Sequence, residues 1–147
     1  MSLITPDSTI NILLVEDDEV DVLNVKRAFR KNNITNPLYF AGNGLEALYM
    51  LRGVDEQPPA VPTHRCLILL DLNMPRMNGI EFLQALRADS DLKSIPVVVL
   101  TTSSAEQDRV EASQLNVAGY LLKPVKFSEF VELMAVLNKY WMLSKML

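Results

Sequence analysis

Apolar and polar positions along this chain alternate in blocks. Short runs rich in Val, Ile and Leu stand at 10–15 ("INILLV"), 37–42 ("PLYFAG"), 66–71 ("CLILLD"), 95–101 ("IPVVVLT") and 118–123 ("AGYLLK"). Each is followed by a stretch with helical spacing of its apolar residues, at 18–31, 43–53, 78–88, 104–115 and 126–142. Runs without polar alternation suit strands covered on both faces, and the stretches between them suit amphipathic helices. The pattern predicts five βα units. Because βαβ crossovers are right-handed, these units build a doubly wound α/β sandwich around a parallel sheet.

Local signals agree with that division. Phe127, Phe130, Met134, Leu137 and Trp141 fall at spacings of three and four, one apolar stripe that belongs on the sheet. Asn43 and Asn78 stand where an N-cap accepts from the free N–H groups of a helix start. Residues 52–65, "RGVDEQPPAVPTHR", carry three prolines within five positions, which fits neither a helix nor a central strand and predicts a long surface loop. His64, the one histidine, lies there without candidate co-ligands nearby and is read as solvated rather than metal-bound. The organisation expected is an N-terminal arm at 1–9, one domain at 10–142 and a tail at 143–147, with no output domain.

Composition narrows the function classes. A chain of 147 residues has length for one full core. Its net charge of −4, without a basic run, disfavours a nucleic-acid backbone as partner. Cys66 has no internal partner and opens an apolar run, so it reads as a buried structural thiol in a reducing compartment. No stretch approaches the roughly 20 apolar residues of a membrane helix, and no leader pattern opens the chain. A cytoplasmic protein without membrane contact is the expectation.

The chemistry gathers at predicted strand ends, which is where open parallel sheets bind ligands. The first strand ends in Glu16, Asp17 and Asp18, the third in Asp71, the fourth in Thr101 and Thr102, and the fifth in Lys123. Asp18 reads as the N-cap of the first helix. Glu16 and Asp17 taken singly read equally as solvated loop acids. If the first and third strands are neighbours, however, Asp17 and Asp71 meet, and two carboxylates ~4 Å apart repel by about 4 kcal/mol at an effective dielectric near 20. Lys123 and a hard cation are both candidates to neutralise them, and an all-oxygen set with waters matches Mg²⁺. A Lys–Asp pair by itself reads as a structural salt bridge.

At these residues the sequence resembles the receiver domain of two-component response regulators and is similar to the single-domain chemotaxis regulators. "ILLVEDDE" resembles the family's acidic strand end, "LILLDLNMPRMNG" its phosphoacceptor stretch, "IPVVVLTTS" its switch-threonine strand and "GYLLKP" its lysine-proline loop, across residues 10 to about 138. The resemblance implies a flavodoxin-like (βα)5 fold. It implies that Asp71 is the phosphorylated carboxylate, with Mg²⁺ held by Glu16, Asp17, Asp71 and the carbonyl of Asn73. It further implies that Thr101 and Lys123 contact the phosphoryl oxygens, that Tyr120 follows Thr101 as the aromatic switch, and that the Lys123–Pro124 bond is cis. Thr102 stands where small residues are common in the family, so its bulk is expected to crowd the water that removes the phosphoryl group. The implied partners are a sensor histidine kinase, since His64 is badly placed as donor, and a downstream protein that meets the face of the fourth helix, fifth strand and fifth helix. The long loop and the tail "NKYWMLSKML" resemble phytochrome-partner response regulators. Tyr140, Trp141 and Leu143 form either a self-association patch, giving a homodimer, or the end of the core.

Three rivals come from other classes. An aspartyl-phosphate phosphatase of the dehalogenase type needs a second acid two residues after the nucleophile, where this chain has Asn73. A nucleotide-binding protein needs a glycine-rich phosphate loop, and neither G-x-G-x-x-G nor G-x-x-x-x-G-K-[ST] occurs. A receiver used only as a docking module, independent of phosphorylation, is the remaining alternative.

Overall fold

The computed structural model describes residues 9–53 and 56–143. β1 (Asn11–Val15), α1 (Glu19–Lys31), β2 (Leu38–Ala41), α2 (Gly44–Arg52), β3 (Cys66–Leu70), α3 (Gly79–Ala88), β4 (Val97–Thr101), α4 (Glu106–Gln114), β5 (Gly119–Leu122) and α5 (Phe127–Leu143) follow in strict alternation. All pairings are parallel and the strand order is β2-β1-β3-β4-β5, so the order reverses between β1 and β3. This is the (βα)5 sandwich that the alternation predicts.

Burial explains the composition of each strand. β3 and β4 are buried at every position, whereas the edge strands β2 and β5 are only partly covered. Leu13, Val15, Ile68, Leu70, Val97 and Val99 face a core shared with α2, α3 and α4. Their neighbours Ile12, Leu14, Leu67, Leu69, Val98 and Leu100 face the core under α1 and α5. Successive side chains point to opposite faces, so continuous aliphatic runs are what a two-sided sheet requires. Each fully buried Leu or Phe contributes roughly 1.5–3 kcal/mol through burial.

Helix starts match their sequence signals. Oδ1 of Asp18 accepts from the backbone N–H groups of Val20 and Asp21, at 2.8 and 3.2 Å, and caps α1. Asn43 caps α2, and Asn78 with Glu81 forms a reciprocal capping box on α3. α4 differs: it buries only Ala112 and has no side-chain cap.

Two expectations are resolved here. Trp141 is fully buried, its ring 6.0 Å from that of Phe29 on α1, so it completes the core, while Tyr140 is 42% exposed. The side chain of Leu143 lies outside those described, as do residues 1–8 of the expected arm and 144–147 of the tail. The Lys123–Pro124 bond is trans, contrary to the expectation of a cis bond. Trans is the lower form by about 0.5–1 kcal/mol, and with it the Lys123 ammonium already reaches acidic partners on the first βα unit. Among the described residues no helix is long and apolar enough to cross a membrane.

Candidate functional site

The strand ladders run one hydrogen bond past β1, β3 and β5 and thereby place the site. Glu16 N–H donates to the carbonyl of Ala41 at 2.9 Å, Asp71 N–H to Val15 at 3.0 Å, and Lys123 N–H to Thr101 at 2.8 Å. The polar residues after β1, β3 and β5 are therefore held by the last residues of neighbouring strands, at the end where the order reverses.

There the carboxylates converge. Glu16, Asp17 and Asp71 each offer an oxygen within 4.8 Å of the others. Glu16 and Asp71 are buried and Asp17 is exposed, so the group opens to solvent on one side. The Lys123 ammonium donates to Glu16 Oε2 at 2.5 Å and to Asp21 Oδ2 at 2.9 Å, and lies 3.7 Å from Asp71 Oδ2. Oδ1 of Asp71 is buried without a hydrogen-bond partner. Burial pushes the Glu16 carboxyl up to about 7, against the pull of the Lys123 hydrogen bond and charge. Burial by itself lowers the Lys123 ammonium, but its hydrogen bonds to Glu16 and Asp21 outweigh this and raise it above the ordinary value.

The loop after β3 is held by a close approach. A Cβ at Gly79 would lie 2.6 Å from the carbonyl oxygen of Asp71 and 2.6 Å from Cα of Leu72, so no larger residue fits without moving the backbone that carries Asp71. Asn73 in this loop is exposed.

On the other side of Asp71, Thr101 ends β4 fully buried and Thr102 follows it exposed. Thr101 Oγ1 accepts from the N–H of Ser103 at 3.3 Å. The Tyr120 hydroxyl donates to the carbonyl of Ser103 at 2.9 Å, and the Ser103 hydroxyl donates to Asp108 Oδ2 at 2.6 Å. Ser103 thus ties the threonine, the tyrosine and the first turn of α4 together.

Residues 12–135 match the family of response regulator receiver domains. The chain is a receiver domain of that family. Response regulator Rcp1 of Synechocystis is 35% identical over 131 residues, covering 89% of this chain and 88% of its own length. Chemotaxis protein CheY-3 of Vibrio cholerae is 34% identical, covering 80% of this chain and 83% of its own. The structure of the phosphorylated cyanobacterial phytochrome response regulator RcpA superposes with a TM-score of 0.81 at 31% identity, covering 94% of this chain and 98% of that one. The Mn²⁺-bound form of Rcp1 superposes with a TM-score of 0.80 over the same shares. The acidic cluster of this receiver fits the Mg²⁺ site general to the family.

The receiver fold brings Glu16, Asp17, Asp71 and Lys123 together as the sequence predicts, and sets Thr101 on the strand next to β3. Sequence reasoning missed Asp21 and Ser103. Asp21 looks like an ordinary first-turn acid favoured by the helix dipole. The signal available was its place in the first turn, where side chains lean back toward the N-terminal end and here toward the strand tips.

Proposed function

We propose that Asp71 accepts a phosphoryl group from the phosphohistidine of a sensor histidine kinase in a Mg²⁺-dependent reaction, and that a second protein reads the change at the face of α4, β5 and α5. The observation that carries this reading is the meeting of strand tips: three carboxylates within 4.8 Å of one another, with an ammonium 3.7 Å from Asp71.

The donor set fits Mg²⁺, being all oxygen with one buried Asp71 oxygen unpartnered. Glu16, Asp17, Asp71 and the carbonyl of Asn73 would hold the ion. When bound, it neutralises carboxylate charge and the charge of incoming phosphoryl oxygens. Asp71 is the nucleophile: one carboxylate oxygen bonds to phosphorus as the phosphorus–nitrogen bond breaks and its electron pair leaves with the imidazole. Lys123 and the Thr101 hydroxyl bind the oxygens of the transferred group. Thr102, exposed beside them, restricts water and prolongs the acyl phosphate. The receiver takes part in its own phosphorylation and dephosphorylation rather than turning over a separate substrate.

Output follows from the Ser103 junction. When Thr101 turns to the phosphoryl group it gives up the Ser103 N–H, and the loop that Tyr120 grips is free to rearrange. α4 responds because a single buried residue anchors it. About 5.5 kcal/mol of differential stabilisation is what converts a 1:99 population to 99:1. Likeness to RcpA favours a phytochrome as the kinase. Leu122, Val136, Tyr140 and Met142, exposed on β5 and α5, offer apolar surface to the target or to a second copy in a homodimer.

Acetyl phosphate with Mg²⁺, followed by intact mass and mapping of the acid-stable, base-labile adduct, tests the reading. One phosphoryl group on Asp71 is expected, and an adduct elsewhere overturns it.

A further inference from the structure

We propose that Asp21 is a positioning residue that competes with the phosphoryl group for Lys123 and so shortens the life of the phosphorylated state. This rests on the function proposed above.

An ammonium has three N–H donors. Two are committed, to Glu16 Oε2 at 2.5 Å and to Asp21 Oδ2 at 2.9 Å, whereas Asp71 Oδ2 at 3.7 Å is beyond hydrogen-bond reach. Glu16 and Asp71 sit on strand tips fixed by the ladders. Asp21 belongs to α1, and its carboxylate draws the lysine toward that helix and away from the nucleophile. A cavity of about 60 Å³ lined by Asp21, Asn24, Lys123, Pro124 and Phe127 has Glu16 but not Asp71 in its wall, so the open space beside the lysine lies on the Asp21 side.

Phosphorylation adds negative charge at Asp71 and calls for full contact with Lys123. The third N–H is available, but bringing it within hydrogen-bond reach of the phosphoryl oxygens moves the ammonium toward Asp71, and the contact strained by that movement is the one to Asp21, the partner that is not part of the carboxylate triad. The Lys123 side chain is 9% exposed and that of Asp21 34%, so their pair is stronger than a surface pair but still screened. An interaction at the upper end of the surface range corresponds to a change of about threefold to tenfold in an equilibrium constant.

The test compares wild type, Asp21→Asn, Asp21→Ser, Asp21→Glu and Glu19→Gln. Glu19 is the exposed neighbouring acid in the same helical turn and reports any effect of helix charge alone. Beryllofluoride affinity at saturating Mg²⁺ is read from Trp141 fluorescence, and phosphoryl lifetime from the decay of the mass adduct. Asp21→Asn and Asp21→Ser are expected to bind beryllofluoride about threefold to tenfold tighter and to hold the phosphoryl group longer by a similar factor. Asp21→Glu and Glu19→Gln are expected to match wild type. Unchanged or weaker binding in both neutral variants, or an equal shift in Glu19→Gln, overturns the role of Asp21 while leaving the phosphoacceptor reading intact. A wild type that takes neither beryllofluoride nor phosphoryl overturns that reading and this inference with it.

Discussion

Lys123 holds its ammonium 3.7 Å from Asp71 Oδ2 yet donates its short hydrogen bonds to Glu16 and Asp21, and Asp71 Oδ1 is buried with no partner. Asp71, the proposed phosphoacceptor, therefore keeps one buried oxygen that no protein group satisfies. That is the state expected of a carboxylate kept ready for an incoming cation and phosphoryl group.

Replacing Asp71 by Asn removes one of three carboxylates that lie within 4.8 Å of one another. A pair at that separation repels by about 3 kcal/mol at an effective dielectric of 20, partly offset by Lys123. Asp71→Asn is expected to lose phosphorylation entirely and to gain about 1–2 kcal/mol in stability. Urea unfolding in EDTA measures the second effect, and a midpoint below that of wild type would show that the charge is already neutralised.

Added Mg²⁺ relieves the same repulsion, so it is expected to stabilise the folded state by mass action. At one hundred times its dissociation constant the gain is about 2.7 kcal/mol. Thermal melts with and without EDTA check this, with Asp17→Asn as the variant whose melting temperature Mg²⁺ raises much less.

Gly79→Ala adds a methyl group 2.6 Å from the Asp71 carbonyl oxygen, a backbone atom that has to shift. A cost of about 1–3 kcal/mol is expected, together with slower phosphorylation because the displaced segment carries Asp71, the proposed phosphoacceptor. A variant with wild-type unfolding and acetyl phosphate kinetics would show that the segment adjusts freely.

Trp141 packs on Phe29 with its Nε1 buried and unpartnered. Trp141→Ala is expected to cost about 3–5 kcal/mol. Trp141→Phe deletes the unpaired N–H and is expected to cost less than about 1.5 kcal/mol. A chain ending at Asn138 should lose stability before it loses any self-association, which unfolding and light scattering separate.

Burial pushes the Cys66 thiol up to about 12 from an ordinary 9.0. At pH 8 the native protein is expected to resist alkylation and to react once unfolded in urea. The unfolded chain releases this proton at lower pH than the native one. Stability is therefore lost as pH rises from about 9 toward about 12, while neutral and acidic pH leave this contribution unchanged.

Much of this receiver was legible before any coordinates. Two-sided strands demand unbroken aliphatic runs, helices demand caps such as Asn43 and Asn78, and a parallel sheet gathers its strand-end residues at one edge. Those are local or topological constraints, so the (βα)5 order followed from them, and the meeting of Glu16, Asp17 and Asp71 followed once β1 and β3 are neighbours, which the sheet shows. What the linear pattern left open is how partners far apart in the chain divide their contacts. Lys123 and Asp21 lie 102 positions apart, and only the folded sheet, with α1 and α5 packed on the same face, makes them a pair. The same holds for the hydroxyl of Tyr120 on Ser103, for the trans bond before Pro124, and for Trp141 as core rather than surface. Periodicity reports which face a residue occupies, whereas the division of one ammonium among three acids is settled by distances, here 2.5, 2.9 and 3.7 Å, that arise only when both faces of the sheet are closed.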